Sequence, residues 1–294
     1  MKISTTTGRL RRFFDKKTTF KIIREAGFDC ADLNFSLPGY RKVNEEYDNY
    51  INEAAELKEY ADSIGLSINQ AHAPFHSSTG NCDTDREIFK SLTASMKIAS
   101  LYGVKNIIIH PKQHLPYRGN EKALFDMNME FYRSLIPYCE EYGITVCVEN
   151  MWQNNPHNGY ITHSTCSKPE EFCEYIDTVG SHLIRACLDI GHTALVDVEA
   201  DEAIRMLGRE RLVALHMHDT DYKDDLHTLP GMSKIPYDKV VDALAEIGYT
   251  GDMTLEADGF LTGFEADFLP EAEKFMAKRT RFLADRFEAK QKKA

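Results

Sequence analysis

Six residues able to bind a metal or move a proton recur at one kind of position in this chain. Seven short apolar runs follow Gly27, Gly65, Gly103, Gly143, Gly180, Gly208 and Gly248, and the residues closing them are Asn34, His72, His110, Glu149, Asp189, His216 and Glu256. Counted from the glycine, they fall at offsets of 7, 7, 7, 6, 9, 8 and 8. All but Asn34 are His, Asp or Glu, although 46 acidic residues and 11 histidines make up only about a fifth of 294, so chance would supply one or two. A lone His72 or His110 would read as a hydrogen-bonded histidine. Gathered together, the set reads differently. Carboxylates crowded away from water repel one another, and a divalent ion held by two Glu, one Asp and one His neutralises them. Mixed oxygen and nitrogen ligands suit manganese, zinc, cobalt or magnesium. Such an ion can hold the oxygens of a ketose while a carboxylate on either face of the neighbouring carbon removes or returns a proton, which is epimerisation or aldose–ketose isomerisation.

These residues need a scaffold that brings seven run ends together. The glycines are 38, 38, 40, 37, 28 and 40 residues apart, and each ends a helical pattern, as glycine does where a helix must turn left-handed. Amphipathic spacing is plain in Ile51, Ala54, Leu57, Ala61 and Ile64, and again in Val240, Val241, Leu244 and Ile247. The runs after the glycines read as strands, and Lys2 to Thr6 adds one at the start. Eight strands alternating with eight helices predict a (β/α)8 TIM barrel filling residues 1–294 as a single domain. A doubly wound open sheet would carry a Gly-rich phosphate turn after its first strand, and the sequence has none. Nothing resembles a linker, and the basic run Lys290 to Lys293 reads as a helix end. In a barrel of this kind the strands' C-terminal ends form the mouth where chemistry is done.

Composition narrows the partners. A net charge of −11 disfavours polyanions, so no nucleic acid is expected. No stretch approaches the ~20 apolar residues that span a bilayer, and no signal-like segment opens the chain, so no membrane partner is expected. Seven cysteines without a Cys-x-x-Cys pair point to the cytoplasm. A homo-oligomer is compatible with all of this.

Several segments together resemble the xylose-isomerase-like TIM barrels, the family of sugar phosphate isomerases and epimerases and of endonuclease IV type abasic-site nucleases. They are Gln70-Ala-His72-Ala-Pro74, His110-Pro111, Val148-Glu149-Asn150, Leu188-Asp189-Ile-Gly-His192, the stretch from His216 through Asp225 to His227, and Leu255-Glu256. The resemblance implies that Glu149, Asp189, His216 and Glu256 hold the central metal and that Glu149 and Glu256, on the fifth and eighth strands, act as acid and base. It implies His72 and His110 for a second ion, and His192, Asp225 and His227 for a third. With one ion, His72, His110, His192 and His227 are free to bind sugar hydroxyls. His218 lies two residues from His216 and is the alternative ligand or a further substrate contact; spacing to Asp219 favours His216, while His218 keeps the same spacing to Asp221. Phe75, Trp152 and Tyr222 are candidates to stack on a sugar, and Lys112, Arg118 and Lys223 are the cations nearest the site. The expected activity is a metal-dependent sugar or sugar-phosphate isomerase or epimerase acting on a small sugar or polyol. A keto-polyol dehydratase or lyase shares its first step. A phosphodiester metallohydrolase and a sugar-binding barrel without turnover are the alternatives.

Overall fold

The computed structural model describes residues 1–36 and 38–292; residues 37, 293 and 294, and with them Lys293 of the basic run, lie outside it. Its strands are β1 (Ile3–Thr6), β2 (Cys30–Asn34), β3 (Ser67–His72), β4 (Asn106–Ile108), β5 (Thr145–Glu149), β6 (Trp152–Asn154), β7 (Ile161–His163), β8 (Ile184–Asp189), β9 (Leu212–His216) and β10 (Met253–Leu255). Its helices are α1 (Lys16–Ala26), α2 (Gly39–Glu45), α3 (Tyr47–Ser63), α4 (Cys82–Leu101), α5 (Glu121–Tyr142), α6 (Pro169–Val179), α7 (Ile190–Leu195), α8 (Ala200–Arg211), α9 (Tyr237–Glu246) and α10 (Leu269–Gln291). Eight strands pair in parallel in the order β10, β1, β2, β3, β4, β5, β8, β9. A parallel bridge from Met217 to Leu255 brings β9 to β10, with the Met217 amide donating to the Thr254 carbonyl and the Glu256 amide to that of Met217. This is the expected TIM barrel.

The seven glycines all have positive φ, from 63° to 109°, which is why side-chain-free residues end these helices. Gly208 behaves differently in detail: it breaks α8 at φ 64°, ψ 170°, and a short turn through Arg211 leads into β9. The helical count exceeds the expected eight because α2 precedes α3 in one connection and α7 follows β8 directly. The hairpin β6–β7, antiparallel, was not foreseen either; three-residue strands carry too little alternation to be read. Apolar faces point as expected, with Ala54, Leu57 and Ala61 of α3 and Val240, Val241 and Leu244 of α9 buried.

Two residues below the mouth, Ile108, Cys147, Cys187 and Ala214 form a buried cluster separate from the main core. Each is two positions before His110, Glu149, Asp189 or His216, so the period of a strand turns the whole set to one side. On the other flank the filling is polar. Pairing of β2 with β3 skips Asn69, joining Ala31 to Ile68 and Asp32 to Gln70. The Gln70 amide then donates to Asp32 at 2.8 Å and the Thr254 hydroxyl donates to Gln70 at 3.3 Å. A small apolar plug and a polar network thus support one rim from below.

Glu273 of α10 is an exception to the rule that buried polar groups are paired: it is fully buried, and neither carboxyl oxygen has a hydrogen-bond partner. Burial first, and Asp258 second, push its acid up to about 8. An unfolded chain releases this proton near the ordinary value of 4.5, the folded one only near 8, so stability is full below the lower value and falls as pH rises between them. The slope from this group approaches ~1.4 kcal/mol per pH unit. Glu273→Gln is expected to flatten denaturant-measured stability across that window and to be the more stable form above it; parallel profiles for both proteins would refute this.

Candidate active site

The mouth gathers its chemistry in three adjoining groups, and His72, His216 and Glu256 form a fourth set of close donors that ties the first two together. In the central one, Glu149 ends β5, Asp189 ends β8, His216 ends β9 and Glu256 follows β10 by one residue; one donor atom from each lies within 4.8 Å of the others. His216 Nδ1 is 3.3 Å from Glu149 Oε1 and 3.2 Å from Glu256 Oε2, and Asp189 and His216 are register partners across β8 and β9. The second group is His72, His110 and Glu149. Glu149 Oε2 is 3.2 Å from His110 Nε2 and 3.5 Å from His72 Nε2. His110 lies two residues beyond β4, so it reaches the mouth from a loop and not from the strand itself. The third group is His192, His218, Asp225 and His227.

The two histidines after Leu215 therefore part company. His216 joins Glu149, Asp189 and Glu256, while His218 lies 3.0 Å from Asp189 Oδ1 and stacks on His227 with centroids 3.9 Å apart. That packing explains a glycine in the Asp189-Ile-Gly-His192 segment: a Cβ at Gly191 would come within 1.9 Å of the His218 ring. Asp219 stays outside the mouth. Its carboxylate accepts the amides of Gly231, Ser233 and Ile235 and so fixes the loop that carries Asp225 and His227.

Backbone carbonyls orient three of the imidazoles. His72 Nδ1 faces the Ala73 carbonyl at 2.7 Å, His192 Nδ1 that of Asn150 at 2.9 Å and His227 Nδ1 that of Glu256 at 2.8 Å. A carbonyl only accepts, so each Nδ1 carries the proton and each Nε2 faces the mouth. Asp189 Oδ1 likewise caps α7 through the His192 amide at 2.6 Å, which leaves Oδ2 over. Asn150 clamps the strands beneath by exchanging both amide hydrogen bonds with the Asp189 backbone.

The electrostatics fit a cation. Asp189 Oδ2, Asp225 Oδ1 and Glu149 Oε2 are buried oxygens without a hydrogen-bond partner. Although burial opposes it, His192 is held well above its ordinary range by Asp189 and Asp225, and His216 by Glu256 and Glu149. His227, against the same opposition from burial, rises to about 10 through Asp225. At His110 burial prevails over Glu149, and its imidazole is lowered. Buried oxygens left unpaired and imidazoles drawing protons are what a site for a positive ion leaves when protons are the only cations at hand. A divalent ion fits these donors.

A cavity of about 500 Å³ opens above the three groups, walled by Phe75, Trp152, Glu149, Glu256, Asp225 and the histidines at 72, 110, 192 and 227. Phe75 stacks on His110 at 4.7 Å. Trp152 lies nearly perpendicular to the His192 ring, and its indole N–H donates to Asp225 at 3.3 Å, so it positions a carboxylate on the cavity wall. Tyr222 is not on the wall and packs against the core. Lys112 sits over the Phe131 ring, Lys223 is exposed, and Arg118 lines a different cavity. Among the described residues, no Lys or Arg lines the first cavity.

Several contributors escaped the sequence reading. Asn34 stands apart from the three groups and lines a cleft on the β1 and β2 side, whereas Asp32, two residues earlier, is buried 3.6 Å from His216 Nε2. Two-residue spacing from Asn34 was the available signal. Gln113, His114, Ser77 and Ser78 reach the wall from loops, where strand-end counting says nothing.

Residues 20–283 match the xylose isomerase-like TIM barrel family, and the chain belongs to it. It is similar to a D-psicose 3-epimerase of Enterocloster bolteae, 26% identical over 261 residues that cover 83% of this chain and 77% of that one. Among solved structures it is similar to the 3-keto-D-glucoside 4-epimerase YcjR of E. coli, with a TM-score of 0.73, 17% identity and coverage of 96% and 99% of the two chains. It is also similar to the IolI protein with a bound zinc atom, with a TM-score of 0.75, 17% identity and coverage of 98% and 99%.

Proposed function

We propose that this protein is an isomerase or epimerase of a small sugar or polyol, moving a proton at the carbon beside a carbonyl. The observation carrying this reading is the convergence of Glu149 and Glu256 on His216 from two strands, with both carboxylates on the cavity wall. The E. bolteae relative, itself a sugar epimerase by name, supports it. Glu149, Asp189, His216 and Glu256 would hold a divalent ion, whether manganese, zinc, cobalt or magnesium. When bound, that ion supplies positive charge beside the substrate's oxygens and lowers the energy of enediolate character.

The chain's own residues do the rest. Glu149 and Glu256 are the acid and base, placed to serve the two faces of the reacting carbon, one taking the proton and the other returning it. His72, His192 and His227 present Nε2 to hydroxyl donors because carbonyls occupy their Nδ1 protons, and His110 adds a further contact. His218 acts through Asp189 and the stacked His227. Asp32 orients His216 from behind. Phe75, 41% exposed, offers an apolar face to the substrate's C–H side.

A second reading has a specific observation behind it. His72 and His110 with Glu149, and beside them His192, His218, Asp225 and His227, would form two further metal positions, a set suited to phosphodiester hydrolysis. The charge of −11 and a first cavity without Lys or Arg weigh against a nucleic-acid substrate. A keto-polyol dehydratase would share the first proton abstraction. Among the described residues no helix is long and apolar enough to cross a membrane, and seven free cysteines accord with a cytoplasmic setting.

The test is a panel of ketoses incubated in deuterated water with metal-loaded protein. Deuterium entering at the carbon beside the carbonyl, with interconversion of epimers or of ketose and aldose, is the expected result. Exchange with none of the panel, alongside metal-dependent cleavage of abasic DNA, would establish the hydrolase instead.

A further inference from the structure

Beside the catalytic cavity lies a larger one, of about 830 Å³, between the β4–α5 loop and the β6–β7 hairpin. Gln153 lines both. Its side chain ties the two walls together, accepting from the Tyr117 amide at 3.2 Å and donating to the Ser164 hydroxyl at 3.1 Å. Gln153 is four residues along the chain from Glu149, at most ~13 Å away when extended. Gln153 thus stands where the two cavities adjoin, so a substrate held at Glu149 that extends past it enters the second.

The character of this second space differs from that of the first. Arg118 and Lys168 stand on its wall, and among the described residues neither forms an ion pair, in a chain that carries −11 overall. The N-termini of α5 and α6 also meet here. Asn120, at the N-cap of α5, donates its amide to the Pro116 carbonyl and caps nothing; Lys168, at the N-cap of α6, has no acceptor to offer. These starts carry Glu121 on α5 and Glu170 with Glu171 on α6 in their first turns, so the positive charge of the site comes from Arg118 and Lys168 rather than from the helix ends. His157 and His163 also line it. The acid on the wall, Glu121, already accepts the Gly119 amide at 2.8 Å, and nearby Glu171 is taken by the Cys166 amide and the Tyr117 hydroxyl. Lys168 also sits over the Tyr117 ring, 5.4 Å from its centroid, which holds it on this wall; in the cleft on the β1 and β2 side Lys16 pairs with Glu53 and Lys42 with Glu46, while Arg11 donates to the Phe14 carbonyl.

We propose that this second cavity binds an anionic group at the far end of the substrate, a phosphate or a carboxylate, through Arg118 and Lys168. The polyol end would lie in the first cavity, so this deepens, and rests on, the isomerase reading for the reacting end. The substrate class is then an acidic ketose, not a neutral one. Charge-assisted contacts at the distal end explain how a first cavity without Lys or Arg could still select a charged sugar.

The test compares D-fructose, D-fructose 6-phosphate and D-fructuronate by calorimetry on the metal-loaded protein, with Arg118→Ala, Lys168→Ala and the double variant alongside. Both side chains are exposed, and unchanged melting confirms that the variants fold. The parent is expected to bind at least one charged ketose about tenfold or more tightly than fructose, each single variant to weaken it several-fold, and the double variant to lose the preference while fructose binding is unchanged. The two charged ligands tell phosphate from carboxylate. Equal binding of all three by the parent, or a preference that survives in the double variant, overturns the proposal. Because binding is read without turnover, an intact preference with no exchange in any ketose would defeat the isomerase reading and leave the anion subsite standing.

Discussion

Glu256→Gln is expected to slow solvent hydrogen exchange at the substrate's reacting carbon by ~10²–10⁴-fold, the usual contribution of a positioned acid or base. The replacement keeps side-chain volume and removes the ability to take a proton. Glu149→Gln should be at least as damaging, and for a second reason. Glu149 Oε1 lies 3.3 Å from His216 and 3.6 Å from His192, and Oε2 lies within 3.5 Å of both His110 and His72, so this one carboxylate joins two donor groups. Glu256 touches His216 and, at 3.9 Å, His227. The two variants should therefore separate: Glu256→Gln retains more of its metal, whereas Glu149→Gln loses both exchange and metal. Deuterium exchange followed by NMR, with elemental analysis of the same samples, checks both. Near-normal exchange by the two variants with metal retained would place the base on another residue.

The rim of the barrel was legible in the sequence because its signal is repeated. One glycine, one apolar run and one polar closure recur seven times, and six of the seven closures share the mouth, Asn34 being the exception; period two in the strands carries that inference down to Cys147 and Cys187. Where the signal occurs once, it fails. The β6–β7 hairpin has three-residue strands, α2 hides inside the connection before α3, and the bond from the Trp152 indole to Asp225 joins residues 73 apart in the chain. Strand-end counting selects Asn34 and hides Asp32 on the same strand; the bulge at Asn69, which sets Gln70 against Asp32 just behind His216, depends on pairing between strands distant in sequence. The relation of His216 to His218 was likewise undecidable from spacing alone. It is settled in space by the stacking of His218 on His227 and by Gly191, whose missing Cβ makes room for the ring.

Exhaustive dialysis of the metal-loaded protein is expected to leave one tightly held ion, and a strong chelator is expected to remove that ion, abolish turnover and lower the melting temperature. The central group carries three carboxylates and one imidazole, so it concentrates the most negative charge in the most buried setting, whereas the other two groups offer one carboxylate each. Carboxylate repulsion returns when the ion leaves. At a free-ion concentration near ~100 Kd the ion stabilises the fold by ~2.7 kcal/mol, which for a chain of 294 residues corresponds to a melting shift of roughly 4 °C. Added zinc should then occupy the histidine-rich groups more weakly, since His72, His110, His192 and His227 retain their donors whether or not the central ion is present. The discriminating sample is the double variant His72→Ala, His110→Ala. If the central group alone holds the tight ion, that variant keeps it through dialysis and only its weaker zinc uptake falls. Three ions retained by the parent, with one lost in the variant, would mean that the groups around Glu149 act as a single cluster able to activate water against phosphorus, and the hydrolase reading would take the place of the isomerase.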